Sequence, residues 1–111
     1  MKSETNDLSM DFLIENLKAS DQVVRLHAAT VLGSMGDDAR AAVPALIALL
    51  HDSTNVHDRK LAALTLGEIG PAAAEAIPAL FAAVDDDDEG LAEMAEWALE
   101  EIDVMDEQGA A

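Results

Sequence analysis

Five acids stand in a row at Asp85-Asp86-Asp87-Asp88-Glu89, and Gly90 follows them. Oxygen donors at this density suit a hard divalent cation. Asp85, Asp87, Glu89, Gly90 and Glu96 fall at positions 1, 3, 5, 6 and 12 of a calcium-binding EF-hand loop. Two features oppose that chemistry. Position 5 carries Glu rather than Asp or Asn, and the helical period after Gly90 sets Glu96 inside a helix, from which it cannot wrap around an ion held by Asp85. The run reads instead as acids at the start of the last helix, where free amide groups favour negative charge. His51, Asp52, His57 and Asp58 bracket a second loop. Imidazole and carboxylate are zinc ligands, but this spacing matches no compact zinc motif, and the segment reads as a solvated loop. His27 stands on a helix with no partner that can be named. There is no Cys, hence no disulfide, thiolate ligand or thiol nucleophile. No Gly-rich phosphate loop and no nucleophile–base pair is visible, so the expectation is a chain that is not an enzyme and needs no cofactor or metal.

The elements that would carry these residues repeat. Gly33, Gly36, Pro44 and Leu46 recur as Gly67, Gly70, Pro78 and Leu80, each 34 positions later. Ala28-Ala29 becomes Ala62-Ala63, Leu32 becomes Leu66, and Arg25 becomes Arg59. A period of this size marks a stacked array. Within each unit the apolar spacing is helical: Val24, Ala28, Val31, Leu32 and Met35 share one face. Asp21 precedes that run as an N-cap and Gly36 ends it. Pro44 opens a second helix, because an amide N–H is not needed in a first turn. Residues 58–69 and 77–84 repeat the pair. Met10, Leu13, Ile14 and Leu17 form a lone helix of the second type before it. Leu91, Ala95, Ala98, Ile102 and Met105 form a lone helix of the first type after it. The expected fold is an all-α solenoid of stacked antiparallel helix pairs, about six principal helices, with short turns at Asp37–Ala42 and Pro71–Glu75. Its expected bounds are residues 8–105, between a disordered segment 1–7 and a flexible acidic tail 106–111.

The stretch Phe12-Leu13-Ile14-Glu15-Asn16-Leu17, continued by Asp21, Arg25, Ala28-Ala29, Leu32-Gly33 and Gly36-Asp37, resembles HEAT repeats, and within them the short phycobilisome-lyase type. Leu61-Ala62-Ala63-Leu64-Thr65-Leu66-Gly67-Glu68-Ile69-Gly70-Pro71 is similar again. The resemblance covers about residues 10–104. It implies that Arg25 and Arg59 brace the loops between repeats through an aspartate, which nominates Asp21 and Asp52. The last unit departs from the pattern, with Ala92 at the arginine position and Glu100 at the helix glycine. Tetratricopeptide repeats share the period but want Tyr and Trp at fixed offsets. This chain has no Tyr and one Trp, and its prolines open helices where that family's proline closes one. Iron-holding enzymes of the HEAT-like class carry His-Glu dipeptides, and none of His27, His51 and His57 is followed by Glu.

Six Lys and Arg against 23 Asp and Glu give the 111-residue chain a formal charge of −17, yet half its residues are apolar, enough for a core. All the basic residues lie in positions 1–60, and residues 61–111 hold acids alone. Such a charge opposes nucleic acid and anionic membranes. Met1-Lys2-Ser3-Glu4 begins no apolar leader, so a cytoplasmic location is expected. Glu93, Glu96, Glu100, Asp103 and Glu107 stripe the last helix opposite its apolar face, and Asp7, Asp11, Glu15 and Lys18 do the same at the other end. Both ends read as finished, as in a complete small solenoid. The second helices of a stacked array line its concave side, where Phe12, Ala45 and Ala79, and Glu15, Ala48 and Ala82, fall in register. Small side chains there would form a smooth groove for a partner segment, although alanine also serves helix propensity alone. Trp97 is either an end-face core residue or an exposed anchor. The expected function is a non-catalytic scaffold or adaptor that binds another protein, a basic one. The family's name raises a second reading, an accessory subunit or chaperone of phycobilin attachment, and adaptation to high salt is a third source of the charge.

Overall fold

The structure, a computed structural model, describes the backbone of residues 10–110 and the side chains of residues 10–102. The segment 1–7, expected to be disordered, lies outside the described residues. Six α-helices follow one another: α1 over residues 10–16, then α2 (Gln22–Met35), α3 (Val43–Asp52), α4 (Val56–Ile69), α5 (Ile77–Val84) and α6 (Glu89–Ala110). Among the described residues there is no strand.

Local chemistry sets the boundaries. The Asp21 carboxylate accepts the Val23 N–H at 2.9 Å and caps α2. Asn55 does the same for α4, accepting the His57 N–H at 2.8 Å, so this helix starts at Val56, two residues before the expected 58. Gly36 and Gly70 close α2 and α4 with φ of 57° and 84°, conformations that a side chain would strain. Pro44 and Pro78 sit in the first turns of α3 and α5. At the far end the helical backbone of α6 continues through Ala110, past residue 106 where a flexible tail was expected. No proline interrupts the sequence there.

The expected short turns are 3-10 helices, Gly36–Ala42 and Gly70–Ala76. Gly36, Ala39 and Ala42, and likewise Gly70, Ala73 and Ala76, are spaced by three, the residues per turn of a 3-10 helix, and so share one edge. Ala39, Ala42, Ala73 and Ala76 are all fully buried, and the two segments pack against each other.

The helices of the first type, α2, α4 and α6, stack in that order, while α3 packs on α4 and α5 on α6. Leu32, Leu66 and Leu91 from the first row and Leu46 and Leu80 from the second are fully buried between them. Such burial stabilises by about 1.5–3 kcal/mol for each leucine. Two helix glycines set the spacing of the stack. A Cβ on Gly67 would overlap Cζ3 of Trp97 and lie 2.9 Å from its Cε3 and 3.0 Å from the Ala98 Cα. A Cβ on Gly33 would overlap the carboxylate end of Glu68, which is exposed and can swing away, and lie 3.3 Å from the Glu68 Cβ. Alanine gains about 1 kcal/mol over glycine in a helix, whereas forced overpacking costs about 1–3 kcal/mol. Gly33→Ala is therefore expected to be neutral or stabilising in urea unfolding, and Gly67→Ala to lose up to about 2 kcal/mol net. Equal stability of the two variants would mean that Trp97 does not rest on α4.

Candidate functional site

Along the N-terminal edge of the first-type helices, guanidinium groups clasp one loop to the next. Arg25, in the first turn of α2, donates to the Ala19 carbonyl at 2.6 Å and pairs with the Asp58 carboxylate at 2.9 Å. Both side chains are largely buried, and the Arg25 Nε has no hydrogen-bond partner. Arg59, one repeat later, donates to the Leu50 carbonyl at 2.9 Å and pairs with Asp86 at 3.0 Å. Lys60 reaches Asp88 at 3.6 Å and lies across Gly90. The acids are not those the resemblance nominated. Asp21 is engaged as the α2 cap, and Asp52 turns outward to His51 at 2.9 Å. Asp58 stands in the first turn of α4, close enough to meet Arg25 directly. Asp86 lies 34 positions after Asp52, so that register position does pair with an arginine, but only in the second unit.

Two acids of the run, Asp86 and Asp88, hold the loop, while Asp85, Asp87 and Glu89 are exposed. Asp86 accepts the Asp88 N–H, and Asp88 accepts the Leu91 N–H, each at 2.9 Å. The Asp88 N–H holds the Asp86 carboxyl below the ordinary carboxylate value, with help from Arg59 and against its partial desolvation. The Leu91 N–H does the same for Asp88, again against desolvation, with Lys60 and the Gly90 N–H adding to it. A depressed folded-state pKa stabilises above the unfolded value of about 3.9 and ceases to do so as pH falls through the folded value. The wild-type melting temperature is therefore expected to exceed that of Asp86→Asn/Asp88→Asn at neutral pH, with the gap closing below about pH 4. A gap that does not narrow at all as pH falls below about 4 would rule out these two groups as its source. Glu96 is exposed inside α6. His51 and Asp52 are about three-quarters exposed, and His27 and His57 are exposed as well. Among the described residues no three His, Asp or Glu side chains are grouped to hold a metal ion.

The second-helix row divides. Ala45 and Ala48 line a groove of about 450 Å³ between the end of α1 and α3, together with Leu17, Lys18 and Leu49, and the Arg25–Asp58 pair stands in its wall. Phe12, Glu15, Ala79 and Ala82 are not part of that groove. Phe12, Glu15 and Ala82 are exposed and Ala79 is half-buried. Phe12 and Phe81 are each 64 % exposed, although only Phe12 falls at a register position named from the sequence.

A larger hollow, about 650 Å³, lies on the opposite side, across α2, α4 and α6. Thr30, Leu61, Leu64, Glu68, Trp97 and Glu101 form much of it. The sequence does not reveal it, because Leu61, Leu64 and Trp97 are of the same apolar types as the residues of the buried faces. The available signal was a second, weaker ladder of apolar residues, Leu61 and Leu64 on α4 with Met94 and Trp97 on α6. Trp97 packs its ring over Gly67 and also forms part of the hollow's wall, where it is half-buried.

Among the described residues no helix is long and apolar enough to cross a membrane. Compared with curated proteins, the chain finds no match. A family model described as HEAT repeats matches residues 10–100, which is most of the chain. That match spans both helix pairs, their 3-10 linkers and the arginine clasps, and the chain belongs to the HEAT-repeat family.

Proposed function

We propose that the chain is a non-catalytic adaptor that holds a basic protein partner. HEAT repeats generally mediate protein–protein interaction and are typically a scaffold fold. The observation that carries the choice of partner is how the cations are used. Of the six Lys and Arg in the chain, Arg25, Arg59 and Lys60 are tied to Asp58, Asp86 and Asp88. Internal pairing thus consumes half the positive charge and leaves a surface dominated by carboxylates. A field of one sign speeds encounter with a partner of the opposite sign and disfavours acidic competitors. The second-helix row, with Phe12, Glu15, Ala45, Ala48, Ala79 and Ala82, is one surface open to such a partner. The small side chains there let a segment approach the backbone closely.

Affinity capture from a lysate of the source organism, repeated over a salt series, tests the reading. The expected result is one enriched basic protein whose recovery falls as salt screens the attraction. Enrichment of an acidic protein, or of none at any salt, would refute it.

A further inference from the structure

We infer that the hollow across α2, α4 and α6 seats an amphipathic helix of another protein, apolar on one face and carrying Lys or Arg along its flanks. This inference rests on the basic-partner reading and gives that partner a place and a shape. The hollow is not isolated. A neighbouring depression of about 240 Å³ contains Leu26, Leu61, Leu64 and Met94, and another of about 480 Å³ contains Leu64, Met94 and Trp97. Leu64 belongs to all three, so they form one apolar trough with Leu64 at its centre. Leu26 is 50 % exposed, and Leu61, Leu64, Met94 and Trp97 are each partly exposed. The trough follows α4, whose 14 residues give it a length of about 21 Å. A helix of three to four turns fits that length and would set its ridge between α4 and α6.

Charge decides the occupant. Glu68 and Glu101 stand in the wall of the hollow, and among the described residues neither has a cation within ion-pair reach. Lys60 lines the two smaller depressions, at the other end of α4, and is engaged with Asp88 at 3.6 Å. A second copy of the chain would bring another set of the same carboxylates, and another −17, against this wall. A partner with basic flanks neutralises them instead while covering the leucines and the indole.

Trp97 is the only tryptophan in the chain, so its emission reports on the trough directly. The probe is a designed helical peptide of about 18 residues, leucine on one face and lysine on the other. Its control has glutamate in place of every lysine. The lysine peptide is expected to bind and shift the Trp97 emission to shorter wavelength, and the glutamate peptide to do neither. Leu64→Ser should weaken binding about tenfold or more, and Glu68→Gln/Glu101→Gln about three- to tenfold. Ala48→Gln/Ala82→Gln, on the second-helix row, reports whether the peptide takes that surface instead of the trough. Helical circular dichroism confirms that each variant folds, and the two glutamate changes are at exposed positions that tolerate substitution. Binding sensitive to the alanine variants and indifferent to the trough variants would overturn the inference and leave the basic-partner reading standing. Failure of the lysine peptide to bind would also overturn it, with lysate capture deciding the broader reading separately. Self-association that disappears in Leu64→Ser would make a second copy the occupant and likewise end the proposal.

Discussion

Leu66→Asp is expected to abolish the fold: helical circular dichroism collapses, and the protein elutes as an expanded chain or aggregates. Leu66 is fully buried in the middle of α4, the helix that packs against α2, α3 and α6. Losing the leucine removes about 2–3 kcal/mol of apolar burial. Placing an unpaired carboxylate there costs several kcal/mol more, or forces it to take up a proton. The sum is comparable with the whole stability of about 5–15 kcal/mol expected for a chain of this size. Leu66→Met, which keeps the volume, should cost less than about 1.5 kcal/mol. A soluble, cooperatively folding Leu66→Asp protein would show that this face of α4 is not the interior.

Arg25→Ala carries the next largest effect, an expected loss of about 3–5 kcal/mol in denaturant unfolding. Asp58 is only 5 % exposed, and without the guanidinium its charge has no partner close by. The Ala19 carbonyl loses its donor at the same time. Arg59→Ala is expected to cost less, because its pair with Asp86 is about a quarter exposed and water screens it. Arg25→Ala/Asp58→Ala should recover part of the single-variant loss, since the stranded charge leaves with its partner. A cost for Arg59→Ala larger than that for Arg25→Ala would contradict the burial of the two clasps.

How far these features were readable from residues alone follows from how local their causes are. The Asp21 cap, the closing glycines at Gly36 and Gly70 and the opening prolines depend on neighbours within one turn, and the structure places each of them as the spacing indicated. The period of 34 located both helix pairs because identical faces must meet identical neighbours. Asn55 was missed as a cap, although it is as local, because the helical pattern was begun at Asp58. The 3-10 linkers were legible in principle from the Gly–Ala–Ala spacing of three, but a seven-residue stretch between two strong helices reads by default as a turn. The partners of Arg25 and Arg59 lie 33 and 27 positions away. The approach of one loop to the next selects them, and no single-unit pattern encodes it. The trough was hidden for a related reason: Leu64 and Trp97 resemble core residues in sequence, and only the packing of three helices shows that one side of each stays open.

The two 3-10 segments touch through edges that carry nothing larger than a methyl group, at the end of each first-type helix opposite its arginine. Side chains this small let the two backbones lie close, so a larger residue at Ala39, Ala42, Ala73 or Ala76 would push neighbouring repeats apart along that seam.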